Sequence, residues 1–481
     1  MDRSGHARFK SPLGCQFIPL CAELQSEFVK ILVTFLLTSF AAAAADSAPV
    51  YNVRTYGATG DRKTLDTTAI QKTIDAAHAA GGAMVWFPAG TFVSGTLRLR
   101  SNVTLYLAPG AVLLGSPRIA DYDLPHLLFA EGVQNIAIEG SGAIDGNGDA
   151  FFDRNLKPLA RPSPLIEIRD SKNIRIQDLT IRNAPAWTIH PKNCDGVKIR
   201  GISLLNNLRA INSDGIDPDS SRNVIISDCH IEAGDDCIVL KTTNRGGKVL
   251  PVENVTVTNC VLVSAASAIK LGTESHGDFR NCVFSNCIIR DSRTGIALLA
   301  KDGATMENIR FSNIVMTTAP KWGQGVEWPI VVDVEKRTAE SRVSRIRDIG
   351  FSDITVRTKG RIMVSGLPES PLERISFRNL AIQVLGYEEI AKVKKMRGGS
   401  HGVAPGTPDY GSTPAAMIFT HVKGVTIDGA SVTWPGMPDA PDRAVVFGDH
   451  LSDVRIRSLD AVASRPGAAA VRIANSVNVK Q

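Results

Sequence analysis

The sequence predicts an all-β fold: a single-domain right-handed parallel β-helix, a solenoid, with a short N-terminal capping helix. Three observations carry this. The pattern Asn, apolar, any residue, apolar recurs as NVTL at Asn102, NIAI at Asn135, NIRI at Asn173, NVII at Asn223, NVTV at Asn254, NCVF at Asn281 and NIRF at Asn308. With a looser copy at Gly196, the intervals from Asn173 to Asn308 are 23, 27, 31, 27 and 27 residues, a period that belongs to stacked coils. Each unit breaks into short alternating strands punctuated by Gly, Asn, Asp and Ser, with no helical period. The length of 481 residues would by itself suggest about three domains; the repeat makes it one solenoid.

Taken in order, Val29–Ser47, VKILVTFLLTSFAAAAADS, joins a lysine, an apolar run and a small-residue end, the pattern of a secretion signal. We read residues 1–45 as a leader and 46–481 as the β-helix domain. The run is short for a membrane span, and no later segment offers about eighteen uninterrupted apolar residues. The mature chain is therefore expected to be secreted or periplasmic, off the membrane and monomeric. DTTAIQKTIDAAHAA, Asp66 to Ala80, reads as a helix with Asp66 as N-cap and Ile70, Ile74 and Ala77 on one face. It would cover the first coil, whose backbone and core are otherwise open. Of eight cysteines, Cys15 and Cys21 fall in the leader. Among the rest, Cys229, Cys260 and Cys287 each stand six residues after a repeat start, which predicts an internal ladder of buried thiols. No cysteine spacing suggests zinc.

Lys and Arg number 54 against 48 Asp and Glu; without the leader the balance is 50 against 45. This mild excess suits a polyanionic partner without requiring one. No basic block carries interleaved aromatics, so nucleic acid is not expected.

The chemistry concentrates in NSDGIDPDSS, Asn212 to Ser221, and GDDC, Gly234 to Cys237. Successive coils lie about 4.8 Å apart across a strand pairing, so Asp214 and Asp235, roughly one coil apart, should bring the two acidic clusters onto one face. Crowded carboxylates raise at least one pKa, keeping one acid protonated beside ionised neighbours. Glycoside hydrolysis uses that division: an acid protonates the leaving oxygen while a base activates water. Asp217 and Asp219, flanking Pro218, suit a polar turn equally well.

NSDGID followed by GDDC, with Asp214 and Asp235 twenty-one residues apart, resembles the polygalacturonase-type pectin glycosidases, glycoside hydrolase family 28. WTIHP at Trp187 and GLPESPLE at Gly366 extend the likeness over most of the mature chain. The resemblance implies that Asp235 is the general acid, that Asp214 and Asp236 hold and deprotonate the attacking water, and that the reaction inverts the anomeric centre of a pectic poly- or oligosaccharide without a cofactor. Two departures matter. Where the family carries Gly-His-Gly, this chain has ASAIKLGTE, with Ser267 near the histidine's place; where the family carries an Arg-x-Lys that binds a galacturonate carboxylate, TGIALLAK puts Ala297 and Leu299.

Replacements are sought nearby. Lys270, between Ile269 and Leu271, should point outward; Lys241, Lys301 and Arg293 lie on flanking coils. Glu274 and His276 occupy a following loop, and His190 comes after Trp187 on the coil before Asp214, where an aromatic ring could stack on a sugar. His190, Lys241, Lys270, Glu274 and His276 are the candidate substrate-binding residues. The altered subsite keeps open a rhamnogalacturonan hydrolase or an exo-acting hydrolase of another pectic linkage. Outside hydrolysis, the alternatives are calcium-assisted β-elimination and a non-catalytic glycan-binding β-helix.

Overall fold

The repeated asparagines are corners. Asn102, Asn135, Asn173, Asn223, Asn254, Asn281 and Asn308 all adopt left-handed backbone, with φ between 53° and 65°. That region is costly for most L-residues and tolerated by Asn and Gly, so the looser copy at Gly196, φ 79°, serves equally. Stacking then links the corners. The Asn135 amide donates to the Asn102 carbonyl (2.9 Å), Asn173 to Asn135 (3.0 Å), Asn254 to Asn223 (3.1 Å), Asn281 to Asn254 (3.3 Å) and Asn308 to Asn281 (2.8 Å).

The computed structural model describes residues 49–244, 249–319, 326–386, 413–435 and 442–481. The leader read at 1–45, with Cys15 and Cys21, lies outside them. Between corners the chain runs in short strands, each pairing in parallel with its counterpart on the next coil, which makes a right-handed parallel β-helix. Inward positions stack like on like. Phe284, Phe311, Phe351 and Phe377 occupy one register position on four coils, with ring centroids 4.9, 5.1 and 4.8 Å apart and planes within 11° of parallel. Cys229, Cys260 and Cys287 form the expected inner ladder, and all six cysteines from Cys194 to Cys287 are buried and free.

One helix, Thr67–Ala79 (α1), seals the first coils by burying Ile70, Ile74 and Ala77 completely. Asp66 is its N-cap residue as expected, its backbone carbonyl accepting from the Ile70 amide at 3.0 Å, but its side chain makes no capping hydrogen bond. Its carboxylate instead accepts from the Thr59 and Gly60 amides at 2.8 and 3.0 Å. The loop ahead of the strand Asp61–Leu65 has outcompeted the helix's own first amides for that acceptor.

Candidate active site

Five strands frame one face of the solenoid: β1 (Ile189–Lys192), β2 (Ile238–Thr242), β3 (Ser267–Ser275), β4 (Thr294–Ala300) and β5 (Trp328–Val334). Between β1 and β2 the NSDGID segment joins the same face through bridges at Ile216 and Asp219. Ile189, Ile216, Ile238, Ile269, Ile296 and Ile330 form one inward ladder. Side chains alternate along a strand, so the residues next to these isoleucines face outward.

This register brings NSDGID and GDDC together. The Thr188 amide donates to the Asp214 carbonyl and the Gly215 amide to the Asp236 carbonyl, which sets Asp214 level with Asp236. One oxygen from each of Asp214, Asp235 and Asp236 lies within 4.8 Å of the other two. Asp214 and Asp236 are 2% and 1% exposed, whereas Asp235 is half-buried.

The three carboxyls have different proton affinities. Burial and the Asp236 charge push Asp235 above its ordinary value, against Lys270, Lys241 and Arg293. Burial would raise Asp236 too, but the Lys270 and Lys241 charges and its hydrogen bonds prevail and lower it. Lys270 Nζ donates to Asp236 Oδ2 at 2.8 Å and the Ser267 amide to Oδ1 at 3.1 Å. Asp214 is raised well above its ordinary value by burial, then by Asp235 and Asp217. Burial carries Asp217 up to about 7 despite Lys241 and His190.

Lys241 is the hub. Its Nζ lies 3.6 Å from Asp214 Oδ2, 3.6 Å from Asp217 Oδ1 and 3.7 Å from Glu274 Oε2, and it sits 4.2 Å from the centre of the Trp187 ring. Such an ammonium over an aromatic face gains cation–π attraction. Burial opposes the lysine's charge, yet Asp214, Asp217 and Glu274 raise its pKa. Glu274 reaches Lys241 because the β2–β3 register shifts after Leu240↔Leu271 and resumes at Thr242↔Ser275, leaving two extra residues on β3. Gly272 lies in that bulge with φ 94°, where a Cβ would stand 2.1 Å from the Leu299 carbonyl oxygen.

His190 is buried beside these groups. Its ring has Nδ1 2.6 Å from Glu167 Oε2 and Nε2 3.3 Å from Asp219 Oδ2. Burial favours the neutral ring, but those two carboxylates raise it to about 9. Asp219 also accepts from the Thr243 amide at 2.9 Å and from its hydroxyl; burial would raise it, but His190 and Thr243 hold it at about 2. Asp217 and Asp219 are therefore fully buried ladder positions, not a solvated turn. Both His190 nitrogens face protein carboxylates, and the ring packs edge to face against Trp187 with centroids 5.2 Å apart.

Lys241, Lys270 and Glu274 thus join the aspartates, while His276 lies farther along, 3.8 Å from Asp302, a carboxylate that Arg337 grips at 2.7 and 2.8 Å. Lys301 is buried against Glu335 at 2.6 Å. Sequence reasoning missed Glu167. In LIEIR it looks like any outward residue of a half-buried strand, and only coil stacking sets it against His190.

Such an arrangement can present a protonated carboxyl beside an ionised one. It also offers three carboxylates of the kind a hard cation takes, with the Lys241 and Lys270 ammonium groups supplying positive charge at the same point.

The model of Glycosyl hydrolases family 28 matches residues 85–402. A probable polygalacturonase from Vitis vinifera is 34% identical over 256 residues, 47% of this chain and 52% of that protein, so the match spans about half of that relative's length. An endo-polygalacturonase from Pectobacterium carotovorum subsp. carotovorum is 26% identical over 371 residues, 66% of this chain and 84% of that protein. The solved family 28 exopolygalacturonase of Yersinia enterocolitica superposes with a TM-score of 0.65 at 22% identity, covering 86% of this chain and 79% of that one, a likeness of fold. With the family model matched across most of the β-helix and the paired aspartate motifs on one face, the chain belongs to glycosyl hydrolases family 28.

Proposed function

We propose that the chain is an exported, inverting hydrolase of pectic polysaccharide of the polygalacturonase type, acting as a monomer through Asp214, Asp235 and Asp236. The observation that carries this reading is the division of protons among three carboxyls whose nearest oxygens lie within 4.8 Å: Asp236 is lowered, Asp214 and Asp235 are raised, and of the two raised groups only Asp235 is half-buried, where a leaving oxygen can meet it. Asp235 donates its proton to the leaving glycosidic oxygen. Asp236, kept ionised by Lys270 and the Ser267 amide, accepts a proton from the attacking water. Asp214 Oδ1 is buried without a hydrogen-bond partner among the described residues and is the acceptor that orients that water. Lys241 and Glu274 adjoin Asp214 and are the substrate contacts this reading retains; Lys270 serves through Asp236. Export rests on the apolar run Val29–Ser47; among the described residues no helix is long and apolar enough to cross a membrane.

A second reading has its own support. Carboxyl groups in inverting glycosidases usually stand roughly 6.5–9.5 Å apart, against about 5–5.5 Å in retaining ones, and the nearest oxygens here are closer than either range. In a retaining route Asp236 would attack the anomeric carbon itself. We favour inversion because the Lys270 ion pair and the Ser267 amide reduce the nucleophilicity of Asp236, while two further carboxyls flank the place for water. Proton NMR of the first product formed from polygalacturonate decides: a β-anomer from the α-linked polymer means inversion, an α-anomer means retention. Running the digestion in heavy-oxygen water beside rhamnogalacturonan oligosaccharides identifies the linkage, and an unsaturated product free of heavy oxygen would replace hydrolysis with elimination.

A further inference from the structure

The face around the aspartates carries several cations, and most are committed. Lys270 is bound to Asp236, and Lys241 is shared by Asp214, Asp217 and Glu274. Arg337 grips Asp302, and Lys301 is buried with Glu335. The family's uronate-binding positions hold Ala297 and Leu299. Both sit in an apolar cluster with Val331, Met363 and Trp328, which leaves no charge there to meet a carboxylate.

Arg293 is different. It is half-buried and makes no ion pair or side-chain hydrogen bond among the described residues. The register fixes its place. Cys237 donates its amide to the Ser267 carbonyl, Ser267 pairs with Thr294, and Thr294 donates to the Ala266 carbonyl. Asp236, Ser267 and Thr294 are therefore level on three coils, and one residue earlier so are Asp235, Ala266 and Arg293. Two coil spacings, about 10 Å, separate Arg293 from Asp235, with the short side chain of Ala266 at the level between them, and the arginine's charge is felt at Asp235 after those of Lys270 and Lys241.

We propose that Arg293 is the carboxylate-recognition residue of this chain, holding a uronate sugar on the side of the scissile bond that lies beyond Asp235 and taking over from the cations absent at Ala297 and Leu299. This rests on the glycosidase reading above and adds the substrate's charge to it. A planar guanidinium binds a carboxylate through two parallel hydrogen bonds. Sugar rings seated over Ala266 and Thr294 would bring that carboxylate within its reach. Binding would also neutralise a cation that otherwise pulls on the proton of Asp235, so a charged substrate helps its own general acid stay protonated.

The experiment compares wild type, Arg293→Gln and Arg293→Lys on tetragalacturonate and on its fully methyl-esterified form, with equilibrium titration of tetragalacturonate into each. Loss of one charged hydrogen-bonding partner predicts a fall of about 10- to 100-fold in the preference for acid over ester in Arg293→Gln, expressed mainly in KM, with part of it restored in Arg293→Lys. An unchanged preference, or an equal loss on both probes, would overturn the proposal. If the wild type cleaves neither probe, the hydrolase reading fails on its own. The titration still decides Arg293: weaker binding in Arg293→Gln supports it, and equal affinity overturns it.

Discussion

Two stretches of one ladder share a backbone and differ in everything else. From β1 to β3 the outward positions are His190, Asp217, Val239 and Lys270; from β4 onward the same register position holds Ala297, Val331, Met363 and Ile418. The first stretch crowds carboxylates, lysines and a histidine onto neighbouring coils, and most of those groups are satisfied only by a residue one or two coils away. The second is apolar. A coil of a β-helix places side chains alike whatever they are, so the location of chemistry is decided by identity at outward positions, and a polar one needs partners above and below it.

The comparison is broken most sharply by Asp235→Asn. Removing a general acid should lower kcat by about 10²–10⁴-fold while the thermal midpoint stays near that of the wild type; a fully active variant would move the acid elsewhere. The reverse pattern is expected in the apolar stretch. Met363→Ala empties buried space and should cost about 2–5 kcal/mol of stability, read from denaturant midpoints, with kcat retained. If it also abolished turnover, the two stretches would not be functionally separate.

The polar stretch should further show itself in the pH dependence of stability. His190 binds its proton more tightly folded, at about 9, than at its ordinary 6.5. Its contribution is therefore full below 6.5 and lost as pH rises through 9, on the order of 3 kcal/mol. The melting temperature of the wild type should fall between pH 6 and 9.5, and His190→Gln, less stable at pH 6, should show a flatter profile. A parallel fall in the variant would assign the effect to another group. The smallest effect concerns Lys270. Lysine holds Asp236 ionised, so Lys270→Gln should raise the Asp236 pKa and move the acid limb of the kcat profile toward neutrality. An unmoved acid limb would sever Lys270 from Asp236.

Much of this is legible in the sequence. The Asn-apolar-x-apolar repeat is a local signal, since a left-handed corner needs Asn or Gly and the strand after it must alternate; both constraints act within a few residues. The Cys229, Cys260 and Cys287 offsets followed from the same period. Asp214, Asp235 and Asp236 could be placed on one face by counting coil length, though a rough count does not tell which of the pair lies level with Asp214. Partnership across coils was illegible. That Lys270 belongs to Asp236, that Glu274 reaches Lys241 over a bulge, and that Glu167 and Asp219 enclose His190 depend on register shifts and side-chain reach, which the period does not encode. Asp66 holds the N-cap position read for it, but its side chain serves other donors for a similar reason: Thr59 and Gly60 come from the loop ahead of the strand Asp61–Leu65.

Helix α1 buries Ile70, Ile74 and Ala77 completely against the first coils. In a stack where each coil touches only its neighbours, losing one unit uncovers the next. The helix is therefore a latch on the coils behind it, and its three apolar side chains guard far more backbone than they touch. Amide hydrogen exchange would record this as strong protection directly behind the helix, and a charged side chain in place of Ile74 should release those first coils before the rest of the stack opens.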